Sequence, residues 1–120
     1  MTKQEILTHI DHTQLKAFCT WENIKKLCDE AIKYNTASVC IPPSYIERIK
    51  ETYGDKINIC TVIGFPLGYN TTETKVFEVK DAIAKGCSEV DVVINIGHVK
   101  NGDFDNCLLY TSPSPRDVEE

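Results

Sequence analysis

No stretch of this 120-residue chain approaches the roughly 20 consecutive apolar residues that cross a bilayer. Its amino terminus, Met1-Thr2-Lys3-Gln4-Glu5, has no apolar core of a signal peptide. A clustered stripe of Lys and Arg is also missing, and the net charge is −5. That balance argues against nucleic acid and against anionic membrane surfaces as partners, because both are held by neutralising phosphates. The six cysteines, Cys19, Cys28, Cys40, Cys60, Cys87 and Cys107, are scattered singly with no CxxC pair. Zinc is therefore not indicated, and most of these thiols sit in apolar stretches where cysteine acts as a small buried hydrophobe. The expectation is one small, soluble, cytoplasmic domain with no metal and no cofactor.

What is present is an alternation of two hydrophobic periods. From Thr20, a fitting N-cap, the apolar residues Ile24, Leu27, Cys28, Ala31 and Ile32 recur with the spacing of an amphipathic helix. Ala37 to Ile41 is short and apolar until Pro42-Pro43 stops it, which predicts a strand. Ser44 to Tyr53 predicts a second helix closed by Gly54, and Ile57 to Ile63 a β-branched strand leading into the loop Gly64-Phe65-Pro66-Leu67-Gly68. Thr72 to Lys85 predicts a third helix with Val76, Val79, Ala82 and Ile83 as its apolar face and Gly86 at C′. Glu89 to Asn95 is the third strand. Strands that are apolar throughout, alternating with helices, argue a parallel sheet covered by helices. An open doubly wound sheet and part of a (β/α)₈ barrel both fit that order.

Composition changes near Asn106. Residues 107–120 carry two Ser-Pro steps and no helical or strand period, and are read as a tail that is disordered or foreign to the fold.

Asp91 is the strongest chemical clue. It interrupts the run Glu89-Val90-Asp91-Val92-Val93-Ile94-Asn95-Ile96-Gly97. Ionised in an apolar interior, it costs on the order of several kcal/mol unless a cation, a proton or a function accounts for it. On a strand, Asp91, Val93 and Asn95 share one face, and Val90, Val92 and Ile94 the other. His9, Asp11 and His12 are poor metal ligands, since His98 is the only other histidine. A surface turn with an Asx hydrogen bond suits Asp11-His12-Thr13 better. Cys40 ends the first clear strand, where parallel folds bind ligands, but no neighbouring His activates it, so it reads as pocket lining.

These pieces together carry a resemblance. Asp11-His12-Thr13, Cys40-Ile41-Pro42-Pro43, Thr61 to Gly68, Thr74-Lys75 with Glu78, and Glu89 to Gly97 stand in the order and spacing of deoxyribose-phosphate aldolases. The chain resembles that family over residues 5–106. The resemblance implies a (β/α)₈ barrel, of which this chain holds the first three βα units after an N-terminal helix. It also implies a metal-free class I aldehyde-lyase that reversibly cleaves 2-deoxy-D-ribose 5-phosphate to D-glyceraldehyde 3-phosphate and acetaldehyde through a lysine Schiff base. Asp91 matches the catalytic aspartate, which relays protons beside active-site lysine. Asp11 and Thr13 match positions near the substrate hydroxyls, and Cys40 matches a pocket-lining thiol. Implied partners are a phosphosugar and an aldehyde, with a homo-oligomer open to the full-length protein.

The lysines depart from that pattern. Lys3, Lys16, Lys25, Lys26, Lys33, Lys50, Lys56, Lys75, Lys80, Lys85 and Lys100 are predicted on helices, in loops or at strand edges. A whole barrel takes about 250 residues. The expectation is an amino-terminal portion, 1–106, that precedes the Schiff-base lysine and is inactive alone. The alternative from another class is a non-catalytic α/β interaction module that pairs through its open edge.

Overall fold

The computed structural model describes residues 2–102. Helix α1 (Lys3–Leu7) opens on a capping box in which the Thr2 hydroxyl accepts from the Glu5 amide and Glu5 reaches back to the cap. Strand β1 (Asp11–Thr13) follows, then α2 (Trp21–Tyr34), capped by Thr20 and Asn23 in the same reciprocal manner. Strand β2 (Ser38–Cys40) is the core of the predicted Ala37–Ile41 segment. A 3₁₀ turn at Pro43–Tyr45 precedes α3 (Ile46–Tyr53), since a proline at the start fixes φ and needs no amide partner. Strand β3 (Ile59–Ile63), α4 (Thr72–Lys85), β4 (Glu89–Val92) and α5 (Ile96–Lys100) complete the described chain. Gly86 ends α4 at φ 115°, as its place in the sequence predicts.

All four strands are parallel and lie in the order β1-β2-β3-β4. That order separates the two architectures left open by periodicity. A doubly wound sheet reverses its strand order at a switch point and is covered on both faces, whereas here each strand is added to the same side of the last. Among the described residues, α2, α3 and α4 cover the same face. Val39, Ile41, Ile59, Ile63, Val90 and Val92 project there and pack with Ile24, Leu27, Cys28 and Ala31 of α2, Ile46 and Ile49 of α3, and Ala82 of α4. Each such aliphatic side chain contributes roughly 1.5–3 kcal/mol when fully buried. The other face holds a smaller cluster of Cys40, Cys60, Val62 and Leu15. This is the one-sided, sequentially ordered start of a (β/α)₈ barrel.

Three differences from the sequence reading have physical causes. Asp11-His12-Thr13 is a strand, adding a fourth to the three predicted, because its backbone pairs with Ser38, Val39 and Cys40 although its side chains are polar. Strand β4 ends at Val92, and Asn95 serves instead as the N-cap of α5, accepting from the His98 amide at 3.2 Å. On α4 the predicted apolar face is only partly used. Val76 and Ile83 are 42% and 59% exposed, while Lys75 is 2% exposed. The expectations for residues 107–120 lie outside the described residues. No helix among the described residues is long and apolar enough to cross a membrane.

Candidate functional site

Parallel register decides which side chains meet. Cys40 and Cys60 are direct partners across β2 and β3, Cys60 is level with Glu89, and Val62 is level with Asp91. Because side chains alternate, Asp11, Thr13, Cys40, Cys60, Val62 and Asp91 share the face away from the main core. His12 takes the opposite face, where its Nε2 lies 2.9 Å from Glu30 Oε1 of α2. The histidine is thereby turned away from Asp11.

On the shared face a cavity of about 450 Å³ opens. It is lined by Asp11, Thr13, Leu15 and Cys40 from the first two strands and the turn after β1, by Val62, Phe65 and Pro66 from β3 and its loop, and by Asp91 and Val93. All four residues singled out from the sequence, Asp11, Thr13, Cys40 and Asp91, line this one cavity. The Ser38 hydroxyl donates to the Asp11 carboxylate, which fixes that side chain at the pocket wall. Asp91 Oδ1 is shielded from solvent. Burial and the nearby Asp91 charge hold the Glu89 carboxyl above its ordinary range.

The two neighbouring thiols on this face are unequal. A hydrogen bond from Cys60 holds the Cys40 thiol below its usual value, and the same bond together with burial pushes Cys60 far up. Cys40 is thus the thiol that ionises first. Sequence spacing separates these two residues by twenty positions, so no motif search pairs them; strand register does. Their Sγ atoms and a carboxylate oxygen of Asp91 all lie within 4.8 Å of one another.

Lys75 has a structural role that its place in the sequence does not reveal. It is on a helix, as predicted, yet its ammonium is buried and donates to Gly68 O at 2.6 Å and Val93 O at 2.8 Å. It ties the loop after β3 to the segment after β4, the two walls of the pocket opposite β1. Glu78, one turn along, accepts from the Gly64 amide at 2.9 Å. Gly68 packs so closely that a Cβ there would stand 2.1 Å from Ile94 O. Two side chains of α4 and one glycine therefore set the shape of the loop carrying Phe65 and Pro66. The signal available in sequence was a lysine beside apolar positions on a helix flanked by a two-glycine loop.

Among the described residues every lysine stands on a helix, a 3₁₀ turn or a loop, and none on a strand. Among the described residues the pocket accordingly offers two carboxylates, a hydroxyl and one thiol, which bind hydroxyl groups and move protons, but no strand-borne amine.

Comparison with known proteins gives a consistent picture. The model of the DeoC/LacD family aldolases matches residues 6–112. A deoxyribose-phosphate aldolase of Clostridium botulinum (strain Alaska E43 / Type E3) is 64% identical over 105 residues, covering 88% of this chain and 48% of the relative. One from Clostridioides difficile (strain 630) is 63% identical over 103 residues, covering 86% and 47%. The chain thus spans about half the length of these curated relatives. Among solved structures, a deoxyribose phosphate aldolase from Aeropyrum pernix, described as tetrameric, superposes with a TM-score of 0.73 at 31% identity, covering 77% of this chain and 40% of that one. A candidate aldolase of the same name from Coccidioides immitis gives a TM-score of 0.83 at 35% identity, with 89% and 43% covered.

Proposed function

The chain belongs to the DeoC/LacD family of aldolases, and on that premise we propose that it supplies the first part of a class I aldolase site acting on 2-deoxy-D-ribose 5-phosphate. The reaction is reversible cleavage to D-glyceraldehyde 3-phosphate and acetaldehyde, in soluble, cytoplasmic deoxyribose phosphate catabolism. One observation carries the reading: Asp11, Thr13, Cys40 and Asp91 line a single cavity of about 450 Å³.

In this proposal a lysine amine attacks the substrate carbonyl, and the resulting iminium draws electrons from the breaking C–C bond. Asp91, half-buried on β4, pairs with that amine and relays protons to and from it through water. Asp11, fixed by Ser38, and Thr13 hold substrate hydroxyls. Cys40 lines the wall, and no metal takes part. The amine itself comes from the half of the relatives that this chain does not span. Lys75 does not replace it, since its ammonium is spent holding two backbone carbonyls. The 120-residue chain is accordingly expected to be inactive alone, and the complete enzyme to be a homo-oligomer.

The test is a chimera in which this chain is joined to the uncovered half of the Clostridium botulinum relative. With acetaldehyde and borohydride it should trap one lysine adduct, whereas the 120-residue chain should trap none. Asp91→Asn in the chimera should lower kcat by about 10² or more with circular dichroism unchanged. A folded chimera that is never trapped, or an Asp91→Asn chimera that keeps its turnover, would sink the proposal.

A second reading, a non-catalytic interaction module, draws on the exposed Val76, Phe77 and Ile83 of α4, at 42%, 72% and 59%. The same stripe is where a barrel's next helix packs, so it favours the module only if the chain alone forms a defined oligomer in size-exclusion chromatography with light scattering.

A further inference from the structure

We propose that Cys40, Cys60 and Asp91 form a binding site for a thiophilic divalent cation of the zinc and cadmium class, and that this ion blocks the pocket. The site follows from sheet geometry. Cys40 and Cys60 are level on adjacent parallel strands with both side chains on the pocket face, and Asp91 is two residues beyond the position level with Cys60 on the next strand. Three donors from three consecutive strands converge, all within 4.8 Å of one another. A tetrahedral zinc ion holds sulfur at roughly 2.3 Å and carboxylate oxygen at roughly 2.0–2.2 Å, which spaces neighbouring ligands by about 3.5–3.8 Å. The three donors therefore stand at most about 1.3 Å beyond that spacing. Cys40 and Asp91 face the cavity, so the fourth position is open to water or to a substrate oxygen.

The charges also balance. Binding releases one proton from each thiol as two metal–sulfur bonds form, so a dication replaces two protons. With Asp91 ionised, the cluster's net charge is the same before and after. No extra charge is therefore imposed on the interior, where an added charge costs several kcal/mol. A site with this chemistry prefers soft, d¹⁰ ions to magnesium or calcium, which take oxygen ligands. Occupancy removes the Asp91 carboxylate and the Cys40 thiol from the pocket, so the ion acts as an inhibitor. The metal-binding claim itself does not depend on the aldolase reading.

The test uses the 120-residue chain, freed of metal by a chelator and kept reduced with a phosphine. Cadmium should bind at about one ion per chain with thiolate-to-metal charge-transfer absorption and release of about two protons near neutral pH. Cys40→Ser and Cys60→Ser should each weaken binding by about tenfold or more, and Asp91→Asn by a smaller factor, while Cys19→Ser leaves it unchanged. Because Cys60 is fully buried and its variant risks misfolding, a second measurement needs no substitution. Bound zinc should slow alkylation of Cys40 and Cys60 alone, read by mass spectrometry. Absence of saturable binding, protection that falls on other cysteines, or undiminished affinity in folded Cys40→Ser would overturn the assignment.

Discussion

Gly68→Ala probes the contact that closes the pocket wall. Gly68 sits at φ +77°, and an added Cβ would stand 2.1 Å from Ile94 O and 2.8 Å from Val93 Cγ1. Carbon and oxygen in ordinary contact stand roughly 3.3 Å or more apart, so one side must retreat by about an ångström. The strand side is held, since the Val93 amide donates to Ile63 O at 2.9 Å. The loop therefore moves, stretching the bond from Lys75 Nζ to Gly68 O and that from the Gly68 amide to Gly64 O. Positive φ costs alanine about 1–2 kcal/mol, overpacking about 1–3 kcal/mol, and a weakened charged hydrogen bond part of about 1.5 kcal/mol. Together these reach about 2.5–6.5 kcal/mol. Gly54 supplies the control: its φ is +61°, but nothing lies within 4 Å of an added Cβ, so only strain of about 1–3 kcal/mol remains. In urea unfolding followed by circular dichroism, with a slope of roughly 1.5 kcal/mol/M, the midpoint should fall by about 2–4 M for Gly68→Ala and by about 1–2 M for Gly54→Ala, the Gly68 variant always the lower of the two. Iodoacetamide should also reach Cys40 faster in Gly68→Ala, since Phe65 and Pro66 move with the loop. Equal midpoints for the two variants would refute the collision, and with it the account of how the wall is set.

Lys75→Met leaves Gly68 O and Val93 O without their ammonium donor. Two stranded acceptors outweigh the relief of an unburied charge, giving a loss of about 2–4 kcal/mol in the same urea assay. Lys75→Arg should not rescue it, because the side chain is 2% exposed and its Nζ already stands 2.6 Å and 2.8 Å from the two carbonyls, so the larger guanidinium overpacks the site. Burial, helped by the Asp29 charge, pushes the Cys28 thiol from 9.0 up to about 12. The neutral thiol is the folded form, so this contribution is complete below pH 9 and is lost as pH rises from 9 towards 12. Stability should fall by up to about 1.4 kcal/mol per pH unit in that window, and Cys28→Ala should flatten the decline.

Helices α2 and α3 are legible because burial is one-sided there and the apolar period is unambiguous, and β3 because all five of its residues are apolar or β-branched and buried. Thr20, Tyr53 and Gly86 mark boundaries within a residue of those observed. Strand β1 escaped because its side chains are polar: what makes it a strand is backbone pairing with β2, which leaves no hydrophobic alternation to read. Continuity of the apolar run predicts a strand through Asn95. Asn95 caps a helix because an Asn side chain that accepts an amide stabilises a helix start more than another ladder residue stabilises a strand end.

The candidate site shows the same division at finer scale. Asp91 was legible as chemistry because a carboxylate among β-branched residues is costly, and that cost is visible in one dimension. Lys75 carries an equal cost, yet a helix normally lets a lysine reach water, so nothing local marks it as buried. Its reason lies in the two carbonyls it joins, contributed by segments seven and eighteen residues away. The Cys40–Cys60 pair is harder still, since only the register of β2 on β3 makes two solitary thiols into neighbours. A one-residue slip would turn one of them to the helix-covered face, because side chains alternate. That register is held by the aliphatic residues of the same two strands, Val39, Ile59 and Ile63, which must all reach the core together. The apolar face therefore fixes the chemistry of the pocket face, and a substitution that disturbs packing under α2 and α3 should scatter the thiols and Asp91 without touching any of them.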